Sequence, residues 1–232
     1  MSRSILDLTQ QLVTGCKVLE QFGIFDEQGH LSSRTAPDSR SMLINGNVSP
    51  GRANVQDFAK VDLDEEERPE AIPSETPIHE QIYEARPEVQ AICHNHSPYA
   101  VIAASVGLEM RPVHQIGAIQ RAPVEVYDDY DLEGGTLVTT TDEASKLAAQ
   151  LGEDRAIVMK GHGAVVVGES ITETVLASIK LEYNARLLYQ QSVVGEPWYL
   201  PQELVDQCIE FVYQENKLEK SIDYYLSQTT DC

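Results

Sequence analysis

The stretch "ICHNHSPYA", Ile92–Ala100, sets two histidines one residue apart at the end of an apolar run and follows them with Ser-Pro. Alternate residues of a strand share a face, so on a strand His94 and His96 project together while Asn95 projects the other way. A third histidine, His162, stands between Gly161 and Gly163, and glycines there let the backbone turn closely after the run "AIVMK". Imidazoles from separate strands can meet on a divalent cation, and Glu75, ahead of a helical pattern, can supply an oxygen ligand or a base. Each part has a plainer reading. A lone histidine beside an apolar run is more often a hydrogen-bonded core residue than a ligand, and Gly-His-Gly by itself reads as a turn. The combination of H-x-H, a downstream Gly-His-Gly and an upstream Ser-Glu is a much stronger metal signal than any one of them.

Periodicity places these residues on elements. Ile5, Leu8, Leu12, Cys16, Leu19 and Phe22 recur at helical spacing before Gly23, which predicts a helix over 4–22. Short strands are predicted at 31–34, 41–45 and 58–63, separated by "TAPDSR" and "NGNVSPGRAN", and the acidic "DLDEEERPEAIPSE" reads as a solvated loop. Thr76 to Arg86 reads as a helix closed by Pro87, with Glu75 at its N-terminal edge. A strand from Val89 to His96 follows, then Ser97 as N-cap and Pro98 as first residue of a helix to about Gly107. The paired histidines therefore belong at a strand-to-helix junction. Thr140 and Glu143 form a capping box for a helix through Leu151, and Ala156–Lys160 and Ala164–Val167 are strands flanking the third histidine. Ser170 and Glu173 open a long helix to Gln191, and residues 202–226 read as helical. This irregular mixture predicts one α/β domain over 1–232, built on a largely antiparallel sheet, with 191–232 as a helical extension.

Composition narrows the partners. A formal charge of -20, from 37 acidic and 17 basic residues, excludes nucleic acid and anionic membranes, which need concentrated Lys and Arg. Hydrophobic residues at 42% in periodic blocks exclude a disordered acidic chain. Cys16, Cys93, Cys208 and Cys232 are scattered without C-x-x-C pairs, and no apolar stretch is long enough for a bilayer, so a soluble cytoplasmic protein with free thiols is expected.

"SETPIHEQIYEARPEVQAICHNHSPYA" and "IVMKGHGAVVVGESITETVLASIKLEYNARLL" resemble the class II aldolase/adducin family, and the likeness runs from the first helix to about residue 191. It implies a three-layer α/β/α fold with a central, mainly antiparallel sheet. It also implies a homotetramer with sites near subunit interfaces. His94, His96 and His162 become the ligands of one divalent ion, zinc or manganese, and Glu75 becomes the acid/base carboxylate, with His79 one helical turn onward to orient it.

The chain departs from the sugar-phosphate members of that family where they hold phosphate. "GHLSS" places His30 where those members carry asparagine, "NGNV" places Asn47 and Val48 for Thr-Gly, and "PSE" retains only Ser74 of a serine pair. Fewer donors and the loss of a glycine leave a dianion less compensated. Gln115 replaces a tyrosine that helps protonate the leaving fragment. His30, Asn47, Ser74 and Gln115 are thus candidate substrate contacts, although Asn47 and Gln115 can equally be plain turn residues. The wording resembles the branch that decarboxylates hydroxylated aromatic or pyridine dicarboxylates. The expected activity is metal-dependent decarboxylation, against aldol cleavage or epimerisation of a small hydroxy-carbonyl compound, and against a non-catalytic adducin-like scaffold.

Overall fold

A computed structural model describes residues 4–65, 67–121, 123–131 and 134–229, so Cys232 lies outside the described residues. Helix α1 (Ile5–Gln21) is capped by Ser4, whose hydroxyl accepts the Asp7 N–H at 3.1 Å. Its face of Leu8, Leu12, Cys16 and Leu19 is buried. Each fully buried leucine contributes about 1.5–3 kcal/mol to stability. The chain continues through β1 (His30–Arg34), β2 (Ser41–Asn45), β3 (Phe58–Asp62), α2 (Thr76–Ala85), β4 (Ala91–Asn95) and α3 (Pro98–Ser105). Then come β5 (Glu125–Tyr127), α4 (Thr141–Leu151), β6 (Ala156–Met159), β7 (Gly163–Gly168), α5 (Ile171–Val194), α6 (Gln202–Val212) and α7 (Glu215–Gln228).

The described strands form one seven-stranded sheet in the order β3-β2-β1-β4-β7-β6-β5, antiparallel throughout except for the parallel β5–β6 pair. Strand alternation sorts its residues onto two cores. Ile92, with Met42, Ile44 and Val165, packs under Ile78 and Ile82 of α2 and Leu147 of α4. Ala91 and Cys93, with Leu31 and Leu43, pack under Leu12 of α1 and Val175 of α5. The sheet is therefore sandwiched between helices in three layers, as expected. His94, two residues after Ile92, falls on the α2 face.

Three local features differ from the sequence reading. Strand β5 was not expected, because three residues, of which Tyr127 alone is buried, are too few to show an alternation. Ser97 occupies the N-cap of α3 but donates its hydroxyl to Asn95 Oδ1 at 2.6 Å; Glu182 instead accepts the Tyr99 and Ala100 N–H groups. The helical stretch 202–226 is two helices. Tyr213 ends the first, donating its hydroxyl to the Ile119 carbonyl while its ring lies under Arg121 and Arg155 at 4.7 and 4.6 Å. The break lets α7 fold back, where Tyr225 meets Phe22 edge-on at 4.8 Å.

Candidate functional site

Strand β4 presents His94 towards α2, and the chain leaves the strand just before His96. His162 lies in the β6–β7 turn, where Gly161 has φ 71° and a Cβ on Gly163 would collide with the Asn95 carbonyl oxygen. Both glycines thus have steric reasons, and the close β4–β7 approach brings the third imidazole to the first two. Ring centroids are 5.4 Å apart for His94–His96, 5.0 Å for His94–His162 and 5.3 Å for His96–His162. One nitrogen of each lies within 4.8 Å of the others. Glu75, preceding α2, accepts the Val138 N–H on Oε1 at 2.9 Å and holds Oε2 3.5 Å from Nε2 of both His94 and His162.

This arrangement fits a divalent cation. His94 has no exposed surface, and neither of its ring nitrogens has a hydrogen-bond partner, a costly state unless an ion takes one of them. Ligands about 2.1 Å from a tetrahedral ion stand about 3.4 Å apart, close to the separations seen around Glu75 Oε2. The outer nitrogens are already engaged. His96 Nδ1 lies 3.1 Å from the Asp26 carboxylate, and His162 Nδ1 donates to the Thr136 carbonyl at 2.6 Å. Such contacts orient the rings and leave Nε2 of each free.

Burial pushes the Glu75 carboxyl upward, but contact with His162 and the neighbouring His94 outweigh it and hold the group below its ordinary value. Burial lowers His162, and Glu75 more than reverses that. Three other rings are held neutral. Burial lowers His94 and His30 well below the ordinary value, with neighbouring imidazoles adding to it, and burial alone takes His79 to about 3. The unfolded chain protonates these rings near pH 6.5 whereas the folded chain does not, so folding stability is complete above that pH and is lost as pH falls. Metal-free protein is expected to lose stability as pH falls below about 6.5, with His162, held above its ordinary value, opposing the loss near that pH. Denaturant unfolding at stepped pH measures it, and a flat profile would remove the neutral-histidine cluster.

His30, Asn47, Ser74, Glu75, His96 and His162 line one cavity of about 640 Å³, with His94 beneath it. Two expected residues lie elsewhere. His79, expected to orient Glu75, has its Nδ1 on Ser32 Oγ at 2.8 Å and no partner on Nε2; its ring faces His30 at 5.8 Å. The reason is helical geometry, since His79 points from α2 into the sheet rather than back along the helix edge. Gln115 opens the 3-10 turn Gln115–Gln120 and lines a separate cavity beside α5, α6 and α7.

Sequence reasoning missed Asp26 and Thr136, which meet the histidines only through the fold and carry no spacing signal. Asp26→Asn is expected to weaken metal binding about 10–100-fold, the usual cost of removing a carboxylate behind a ligating histidine. Competition against a chelator measures this, and unchanged affinity would make the Asp26 contact incidental.

Residues 10–189 match the family of class II aldolase and adducin N-terminal domains. The chain belongs to this family. A 3,4-dihydroxyphthalate decarboxylase from Arthrobacter keyseri is 28% identical over 203 residues, covering 80% of this chain and 79% of the relative. A 5-deoxy-D-ribulose 1-phosphate aldolase from Bacillus thuringiensis serovar kurstaki is 27% identical over 135 residues, 56% of this chain and 58% of the relative. The structure of an L-fuculose 1-phosphate aldolase from Glaciozyma antarctica matches 96% of this chain and 88% of its own with a TM-score of 0.79; at 22% identity this shows the fold. Class II aldolases use a divalent metal, and this member, with its histidine triad, is a lyase of that superfamily.

Proposed function

We propose that this class II aldolase homologue decarboxylates a hydroxylated aromatic or heteroaromatic carboxylic acid. The observation that carries the reading is the lining of the histidine cavity, which among the described residues holds Asp26, Glu27 and Glu75 but no Lys or Arg. A sugar phosphate keeps its dianion throughout aldol cleavage and needs neutral donors or cations to compensate it, whereas this wall has lost several of those donors and carries three carboxylates. A carboxylate lost as carbon dioxide sheds its charge in the reaction, and a chelating hydroxy-acid brings its remaining charge to the ion. The decarboxylase from Arthrobacter keyseri, similar over most of both chains, supports the same choice.

His94, His96 and His162 would hold the ion, with Glu75 beside them. A divalent ion there supplies Lewis-acid polarisation of adjacent substrate oxygens. Three nitrogens favour zinc, and manganese suits the site where Glu75 and further oxygens raise the coordination number. The chain's own residues do the rest. His30, Asn47 and Ser74 orient the substrate from the cavity wall through an imidazole, an amide and a hydroxyl. Glu75, ionised at the start, takes the proton of the substrate hydroxyl. Carbon dioxide leaves as the carbon–carbon bond breaks, the electron pair passes into the ring, and Glu75 returns that proton to the carbon that lost carbon dioxide. The Val138 N–H fixes Oε1, leaving Oε2 as the proton-carrying oxygen.

The intact triad with its carboxylate counts against a non-catalytic scaffold. We infer a homotetramer with the site near a subunit boundary, supported by exposed apolar side chains at Val193, Val194 and Trp198. Gln115, remote from the cluster in its own protomer, would contact substrate only from a neighbouring subunit. The reading treats residues 1–232 as one domain with 191–232 as its extension, in a cytoplasm that keeps Cys16, Cys93 and Cys208 as free thiols. Among the described residues no helix is long and apolar enough to cross a membrane.

Incubating the metal-loaded protein with ortho-hydroxylated aromatic dicarboxylates and, separately, with ketose 1-phosphates tests the reaction. Carbon dioxide from the aromatic acids without any aldehyde is expected. Aldehyde release from the phosphates, with no carbon dioxide from the acids, would move the assignment to aldol cleavage.

A further inference from the structure

A second cavity, of about 630 Å³, lies between the 3-10 turn at residues 115–120 and helices α5, α6 and α7. Lys180 projects from α5 into it, is only 8% exposed, and has no hydrogen-bond or ion-pair partner among the described residues. Its stem is buried while the ammonium remains reachable from the cavity, where an anion could pair with it. Lys217 and Lys220 line the same cavity, Lys217 lying 4.5 Å over the Phe211 ring. Among the described residues no Asp or Glu lines it, although the chain has 37 acidic residues to 17 basic. Among the same residues the histidine cavity shows the reverse pattern, with three carboxylates and no Lys or Arg.

The remaining wall is largely apolar and aromatic, with Phe211 and Tyr224 partly open to solvent. We propose that this cavity binds an organic carboxylate with an apolar, ring-sized body, its charge on Lys180 and its body against Phe211 and Tyr224. Convergent cations in an apolar recess select that class over inorganic phosphate, which has no body to bury, and over a neutral apolar molecule, which leaves Lys180 unpaired. Burial pushes the Lys180 ammonium's pKa down, and an adjacent carboxylate opposes that. The inference needs no reaction at the histidines of its own protomer, although Gln115, which lines this cavity, is also the residue inferred to reach a neighbouring subunit's site.

Calorimetric titration of the full chain with 2-naphthoate, and with its neutral counterpart 2-naphthylmethanol, tests it. The metal is first removed by chelation, so that binding at the histidines does not contribute. One naphthoate per chain is expected, at least about 10-fold tighter than the alcohol, the size of one charge-assisted hydrogen bond. Lys180→Met is expected to abolish that preference while leaving the alcohol's affinity unchanged, and the comparison in the unaltered protein stands even where the variant fails to fold. Absence of saturable naphthoate binding, equal affinity for acid and alcohol, or an unchanged preference in Lys180→Met would each overturn the proposal. So would a change of oligomeric state in Lys180→Met by light scattering, which would place a second copy of the chain over the cavity.

Discussion

Glu75→Gln is expected to lower turnover by about 10²–10⁴-fold, the range that general acid/base help supplies, while the metal remains bound. Glutamine preserves the size of the side chain and keeps an oxygen for the Val138 N–H, but it has no proton to exchange. Because the three imidazoles are untouched, metal content should fall far less than activity. The loss should appear in kcat rather than KM, since the proton moves only in the reaction. Elemental analysis, steady-state carbon dioxide release and deuterium incorporation from solvent together separate the two functions. Near-normal turnover with normal deuterium incorporation would eliminate Glu75 as the proton carrier.

The second large effect belongs to His96→Ala, which removes one of three nitrogens and strands Asp26. Sub-stoichiometric metal and loss of activity are expected, together with a cooperative thermal transition, because the hydrophobic clusters on the two sheet faces do not include His96. His94→Ala would be less informative, since that ring is fully buried and its removal leaves a cavity as well as a missing ligand. Full metal occupancy in His96→Ala would remove that residue from the ligand set.

Much of this was readable before any coordinates. Strand alternation predicted that His94 and His96 meet, and their rings lie 5.4 Å apart although the strand ends at Asn95. Capping chemistry placed α4 and α5, with Thr140 and Ser170 accepting from Glu143 and Glu173 as their spacing implies. The two glycines around His162 correctly marked a tight turn. Long-range partners were not readable. Asp26 reaches His96 across 70 positions of sequence, and Glu182 caps α3 across 83, neither announced by a local pattern. The role expected of His79 failed for a related reason: one helical turn from Glu75 fixes its distance along the helix, while the direction of its ring depends on Ser32 of β1. Tyr213 ended a helix because of Ile119 and two arginines, all remote in sequence. Gln115 was placed by resemblance alone, and the fold separates it from the cluster of its own chain.

The most direct test is a metal titration. Protein stripped by chelation and then reloaded in steps should release no carbon dioxide from an ortho-hydroxy aromatic acid at the start. Release should then rise linearly with added zinc or manganese and level off at one ion per chain. Full activity in the stripped protein, or a plateau reached only at several ions per chain, would contradict a single catalytic ion held by His94, His96 and His162.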